Sequence, residues 1–428
     1  MLALEDWLQH APAAPALETG QRYHVFVSYR SVNRLWALQL YDILTQLGYK
    51  VFLDQFVLAA GAALARNLSE ALQASRAATM IWSSSFEDSQ WCMDEYDALV
   101  ARRNNDASFR FVIVTVDAAK VPALSAGAIR VDFSSDRDGP IGSNLLRLLH
   151  GLNGNPLPAD AVKFAAAFDE QFALARNRIK TARDLGNKQR LVDLANSSAL
   201  PWQTSPALGC EVADALIGLS DTDSALGILD LVQARFPRAL RPKQLRGLAL
   251  ARGGRSAEAA EVLGELYNAG EIDPETVGLY ARTWMDRYRT TRDAMHLRRS
   301  RDLNVQMFEM SRDSYNGVNA AAKSLLLGES DLSVQLAQRV EKVVGAKVVP
   351  GKYWETATVA ELQLLQSHFE QAAALYRDAV LIATEDHGSH RSTSGQARLI
   401  LSALNAPADV ATNVLAAFDH VGCREQTV

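Results

Sequence analysis

The sequence predicts two unlike domains in tandem: an α/β domain built on a parallel sheet, followed by an all-α domain of stacked helix pairs. Three observations carry this. Residues 23–152 alternate short β-rich apolar runs with stretches of helical period. After the Gly/Pro/Asn-rich stretch "HGLNGNPLP" (150–158) the β-rich runs disappear, and Ala, Leu and Arg dominate. In that second half, pairs of small residues twelve apart recur at steps of 34, 34, 40 and 39 residues.

The elements follow in order. Residues 1–20, "MLALEDWLQHAPAAPALETG", read as a short helix and an Ala/Pro linker; acids and no basic start make a poor signal peptide. "YHVFVSY" is the first strand, and "RLWALQLYDILTQLG" is a helix stopped by Gly48. "KVFLD" is a second strand, followed by the loop "QFVLAAGA", and "LARNLSEALQAS" is a helix. "AATMIWSSS" is a third strand, "WCMDEYDALVARR" the next helix, and "RFVIVTV" a fourth strand. "IRVDF" is short enough for a fifth, edge strand, and the helix "IGSNLLRLLHGL" closes the unit. Strands alternating with helices imply a parallel sheet covered on both faces. The expected division is an N-terminal segment 1–20, an α/β domain 21–152, a linker 153–160 and a helical domain 161–428.

Bulk properties narrow the function. A net charge of −5 gives no reason to expect nucleic acid or an anionic membrane as a partner. Cys92, Cys210 and Cys423 are odd in number and in no metal-ligand spacing, which argues for reduced thiols in a cytoplasmic protein and for no metal site. No apolar run approaches the roughly 20 residues of a membrane span. GxGxxG, GxxxxGK[ST], HExxH, CxxC and GxSxG are all missing.

In parallel sheets ligands sit outside the carboxyl ends of the strands. Residues 28–31, the loop after Asp54 and "SSSFEDSQWC" all map to that edge. Glu95 then falls in the first turn of a helix whose N-terminus faces the expected site.

The segments "YHVFVSYR" (23–30), "GYKVFLDQFVLAAG" (48–61) and "SSSFEDSQWCMDEY" (83–96), in that order, resemble the three signature segments of a TIR domain. The likeness covers about residues 20–152 and implies a flavodoxin-like fold. TIR domains are of two kinds: scaffolds that signal by TIR–TIR contact, and enzymes that cleave NAD+. In the enzymes a catalytic glutamate follows an aromatic in a W-x-x-x-E arrangement, which falls here on Trp91 and Glu95.

The chemistry makes one glutamate sufficient. Breaking the nicotinamide–ribose bond passes through an oxocarbenium-like transition state. Nicotinamide leaves from a cationic form and needs no general acid, so a single carboxylate stabilises the developing charge. The resemblance further implies Arg30 and Ser31 near the substrate, Leu64 and the 54–64 loop covering it, and Trp91 as an apolar wall. NAD+ is thus substrate, and no cofactor is expected. Structural readings compete: the helix dipole for Glu95, core packing for Trp91 and Cys92, a surface charge for Arg30, loop organisation for Asp54. The sequence departs from the pattern at Asn33, where many members carry an acid. It also offers only Phe109 and Phe111, read as strand residues, where some enzymes place a second tryptophan.

In the second half the frame of small residues reads Ala213/Ala225, Gly247/Ala259, Ala321/Ser333 and Ala360/Ala372, with Ala281/Ala294 admitted by one inserted residue. That layout resembles tetratricopeptide (TPR) repeats, two antiparallel helices per unit stacked into a superhelix. "DSYNGVNAAAKSLLLG" (313–328) is similar to a segment in the helical-repeat region of ASK-type stress kinases, and similar regions accompany bacterial immune effectors as sensors. Asn316 and Asn319 there read as helix caps or ligand contacts.

The expectation is an oligomerisation-activated NAD+ hydrolase of bacterial antiphage defence. It would release nicotinamide and ADP-ribose or a cyclic isomer, and assemble as a homo-oligomer through its TIR domains. A trigger of unknown nature, protein or small molecule, would act on the TPR-like domain. The alternative is a non-catalytic TIR scaffold or virulence adaptor working through protein contacts.

Overall fold

Five parallel strands form one sheet in the order β2-β1-β3-β4-β5. The computed structural model describes residues 9–30, 33–53, 64–84, 90–117, 119, 121, 129–134, 139–345 and 351–421. Within them the strands are β1 (Tyr23–Tyr29), β2 (Val51–Phe52), β3 (Ser75–Trp82), β4 (Arg110–Thr115) and β5 (Ile129–Asp132). Val25 pairs with Val51 and with Ala77, so β1 lies between β2 and β3. That order is the flavodoxin-like one.

Each helix of this unit buries one stripe. In α1 (Arg34–Gln46), Trp36, Leu40 and Leu44 recur at four-residue spacing and are buried; the helix ends at Leu47 before Gly48, whose φ is +85°. α2 (Leu64–Gln73) precedes β3, and α3 (Gln90–Asn105) precedes β4. α3 buries Tyr96 and Leu99 against a cluster that includes Met80, Trp82 and Phe111. α4 (Gly142–Leu152) buries Leu145, Leu146, Leu148, Leu149 and Leu152. The Ala/Pro segment read as a linker is fastened to this unit. His24 Nε2 lies 2.8 Å from the carbonyl oxygen of Pro15, and the Tyr49 hydroxyl donates to that of Pro12 at 2.9 Å.

The chain divides into two compact units, Met1–Asn177 with Asn196–Gly209 and Val232–Arg241, and Arg178–Ala195 with Cys210–Leu231 and Pro242–Val428. The first division falls inside α5 (Ala159–Asp184). Short helices α6 (Lys188–Ala195) and α7 (Leu200–Thr204) follow.

Among the described residues, twelve further helices run in successive pairs: α8 (Ala207–Gly218) with α9 (Thr222–Arg235), α10 (Leu240–Arg252) with α11 (Ser256–Asn268), and α12 (Pro274–Thr291) with α13 (Ala294–Ser311). Then come α14 (Ser314–Leu326) with α15 (Ser330–Val344), α16 (Tyr353–Leu365) with α17 (Phe369–Ile382), and α18 (His387–Ala403) with α19 (Ala408–Leu415). The small-residue frame holds where the backbones meet. Ala213, Ala225, Ala259, Ala321, Ser333, Ala360 and Ala372 are all buried. A Cβ on Gly247 would stand 2.5 Å from Leu263 Cγ.

The third pair departs from the expected register. Ala294 is exposed, and Ser300 instead faces Ala281, donating its hydroxyl to the Ala281 carbonyl at 2.5 Å. α12 and α13 are 18 residues each where α10 and α11 are 13, so the facing residue sits further along.

Candidate active site

All five strands run the same way, so their carboxyl ends share one edge, and polar side chains stitch that edge together. On β1, Ser28 is buried and donates its hydroxyl to Glu95 Oε2 on α3 at 2.6 Å. Asn33, just before α1, donates from Nδ2 to Ser83 Oγ at 2.7 Å, tying the exit of β1 to the exit of β3. Ser84 donates its backbone N–H and its hydroxyl to the Asp117 carboxylate, at 2.9 and 2.7 Å to Oδ2, joining β3 to β4. Thr115 donates to Asp132 Oδ1 at 3.0 Å, joining β4 to β5. The Ser134 backbone N–H on Asp132, more than any other contact, holds that carboxyl below the usual range.

Glu95 is half-buried and its flanks are fixed. The neighbouring Tyr96 ring meets Trp82 edge-on with centroids 5.5 Å apart, and both rings are buried. The first-turn placement expected for Glu95 is corrected: α3 begins at Gln90 and has no acid in its first turn. Helix-dipole stabilisation falls off within that turn, so the dipole explains little of a glutamate one turn deeper. The bond from Ser28 ties it to β1. Sequence places Ser28 at this edge but gives it no role, because the contact joins residues 67 positions apart.

The other candidates are less fully placed. Arg30 follows β1 at the same edge and is half-buried. Ser31, Asp54 and most of the 54–64 loop lie outside the described residues. Leu64 and Trp91 have helical backbones at the starts of α2 and α3, and their side chains, like that of Cys92, also lie outside. Phe109 and Phe111 are buried, with the Arg102 guanidinium 3.9 Å from the Phe109 ring centre, so neither reaches the edge. Among the described residues no three His, Cys, Asp or Glu are grouped to hold a metal, and no helix is long and apolar enough to cross a membrane. Cys210 is buried and forms no disulfide.

In the repeats, neither Asn316 nor Asn319 caps a helix. Asp313 is the N-cap of α14, accepting from the Asn316 backbone N–H at 2.8 Å. The Asn316 side chain is buried and accepts from Asn304 Nδ2 at 2.7 Å, while Asn319 Nδ2 donates to the Tyr315 carbonyl.

Comparison with known proteins agrees with this architecture. Residues 25–146 match the TIR domain family, and residues 212–326 match the Tetratricopeptide Repeats-Sensor family. A protein named probable 2′ cyclic ADP-D-ribose synthase BdTIR, from Brachypodium distachyon, is 37% identical over 84 residues, which are 19% of this chain and 38% of that protein. The 2′ cyclic ADP-D-ribose synthase AbTIR of Acinetobacter baumannii is 34% identical over 89 residues, 21% of this chain and 33% of that protein. The chain therefore spans little more than a third of the length of these relatives. A crystal structure of a thermophilic TPR protein from Thermus thermophilus overlaps 47% of this chain and all of that one, at a TM-score of 0.35 and 16% identity, a likeness too remote to inform detail.

Proposed function

We propose that this chain, a TIR domain joined to tetratricopeptide sensor repeats, cleaves the nicotinamide–ribose bond of NAD+ with Glu95 as its catalytic carboxylate. The observation that carries the reading is the placement of Glu95 at the carboxyl edge of the sheet, held at Oε2 by the buried Ser28 hydroxyl. The names of the two relatives, both cyclic ADP-ribose synthases, support the same substrate class.

The C1′–N bond breaks, and its electron pair passes to the pyridine nitrogen, discharging nicotinamide as a neutral leaving group. The ribose becomes oxocarbenium-like, and the Glu95 carboxylate stabilises that charge from a fixed position. The Ser28 hydroxyl holds that carboxylate at Oε2. Water then adds at C1′ and loses a proton to give ADP-ribose, or a hydroxyl of the same molecule adds to give a cyclic product. Arg30 serves the pyrophosphate, Trp91 walls the nicotinamide pocket, and Ser31 and Leu64 border it. Assembly through TIR domains completes the pocket, and the repeats sense the trigger of what acts as an antiphage effector. Incubating the purified chain with NAD+ over a range of protein concentrations, and resolving nicotinamide, ADP-ribose and cyclic isomers by chromatography, tests the reading. Specific activity should rise with concentration in step with light scattering. Intact NAD+ at every concentration, with and without lysate from infected cells, would overturn the assignment.

A further inference from the structure

Charge on the repeats is uneven. Residues 287–301, which join α12 to α13, hold six arginines and a single acid, Asp293. A helix rises about 1.5 Å per residue, so Arg287 to Arg299 all lie within about 10 Å of the turn along the helix axes. Arg287, Arg289, Arg292, Arg298 and Arg299 are exposed. The two helices are fastened to each other at this tip. Thr291 Oγ1 lies 3.0 Å from His296 Nδ1, and the Trp284 and His296 rings have centres 5.6 Å apart. The arginines therefore stand on a braced hairpin.

Little of this charge is neutralised within the chain. Arg289 donates to Asp286 at 3.1 Å, and Arg301 pairs with Asp302 and Glu329. Asp293 caps α13, accepting the Met295 N–H at 2.9 Å. Antiparallel helices bring the turns between α10 and α11 and between α14 and α15 to the same end of the stack. Their acids are engaged elsewhere or too far: Glu258 is held by Arg255 at 2.6 Å, Glu329 by Arg301, and Asp331 forms no ion pair. Among the described residues, Arg287, Arg292, Arg298 and Arg299 have no carboxylate within ion-pair distance. Arg287 sits 4.9 Å from the centre of the Trp284 ring and Arg292 6.0 Å from that of Tyr288. A ring attracts a cation without cancelling its charge. A surface built for solubility alone would mix the two signs.

We propose that the tip of this hairpin is a docking surface for the phosphate backbone of double-stranded nucleic acid. The residue type favours it. No lysine occurs between Lys243 and Lys323, and a guanidinium fork fits two oxygens of one phosphate where an ammonium offers a point charge. An anionic membrane would call for several apolar side chains beside the charge, and among the described residues Met295 is the one large apolar side chain exposed at the tip. A single strand would call for open aromatic faces on which bases stack, whereas Trp284 and Tyr288 are half-buried beside arginines. Contacts to phosphate alone carry no sequence information, so binding is independent of sequence. The chain-wide charge of −5 averages this cluster away.

Fluorescence anisotropy of a labelled DNA duplex of arbitrary sequence, titrated with the full chain at several salt concentrations, tests this. Affinity should fall with salt on a log–log slope of about −4, as expected for four to five phosphates at about 0.9 each. Arg298→Glu combined with Arg299→Glu should weaken binding about tenfold or more. Arg298→Gln alone should reduce the slope by about one. Arg377→Glu, at an exposed arginine of α17, should bind as wild type does. All these positions are exposed, so the circular dichroism melts should coincide. The assay contains no NAD+, so its outcome is separate from the role of Glu95. No binding at low salt, equal binding by wild type and the double variant, or tighter binding to phosphatidylserine vesicles or polyglutamate than to the duplex would overturn the assignment.

Discussion

Ser28 on β1 holds Glu95 on α3 by a 2.6 Å hydrogen bond from its buried hydroxyl, across 67 residues of sequence. One oxygen of the carboxylate is thereby tied to the sheet. Glu95→Gln keeps an acceptor for Ser28 while removing the charge. NAD+ turnover should fall by roughly a hundredfold or more, with stability changed by no more than about 1 kcal/mol. Near-normal turnover by the folded variant would remove Glu95 from the mechanism.

Ser28→Ala separates positioning from catalysis. The charge of Glu95 remains, but the side chain loses its anchor. We expect kcat to drop about tenfold or more, while KM changes little, because misplaced charge costs transition-state stabilisation rather than binding. Ser28→Thr, which retains the hydroxyl, should recover part of the loss. Equal kcat in wild type and Ser28→Ala would show that the hydrogen bond only packs the interior.

The motif around Tyr315–Ala322 has a packing reason at Gly317. A Cβ there would lie 2.4 Å from Val340 Cγ2 and 2.8 Å from Phe308 Cδ2, so α14 presses its backbone on both neighbours. Gly317→Ala should cost about 1–3 kcal/mol by overpacking. Gly227→Ala is the matched control: it lies inside α9 with nothing within 4 Å of the added carbon. Helix propensity should make that variant more stable by about 0.5–1 kcal/mol. Urea unfolding of the two variants checks both signs.

The strands and helices of the first unit are legible in the sequence because each buries one periodic face: Trp36, Leu40 and Leu44 in α1, Tyr96 and Leu99 in α3. The repeat frame is legible at Ala213/Ala225 for the same reason. What stays hidden depends on three-dimensional meeting. Neither Ser28–Glu95 nor Asn33–Ser83 has a local signature, since each needs the strand order to bring distant segments together. Ser300 carries no signal of its own, because extra helix length in α12 and α13 shifts the facing pair without altering composition.

Burial pushes the Glu361 carboxyl up from 4.5 to about 7 and the Lys323 ammonium down from 10.5 to about 7. Between pH 4.5 and 7 the folded chain holds a proton on Glu361 that the unfolded chain has released, so stability from this group falls as pH rises. Above about 7 the unfolded chain retains the Lys323 proton that the folded one has lost, so stability climbs again. Glu361→Gln should erase the lower limb alone. The stability of wild type relative to this variant should decline by about 2–3 kcal/mol between pH 5 and 7. Denaturant titrations at several pH values measure it, and a flat difference would contradict the burial of an ionisable Glu361.

The last prediction concerns where the chain divides. Residues 153–158 form a short connection between α4 and α5, with Gly154, Asn155, Pro156 and Pro158 exposed, and protease should cut there first. Yet α5 is no spacer. Phe164, Phe168 and Phe172 are buried along it, and Phe164 lies against His10 with ring centres 4.5 Å apart. Asp169 accepts the backbone N–H of Ser143 at 2.9 Å, in the first turn of α4. Burying a phenylalanine contributes about 1.5–3 kcal/mol. A fragment 1–152 loses these partners, whereas 1–184 keeps them through to the end of α5. The longer fragment should melt cooperatively at clearly higher temperature than the shorter, by an amount matching roughly 5 kcal/mol. Equal melting of the two would mean that α5 belongs energetically to the repeats, and that the boundary read at 153–160 is also the boundary of folding.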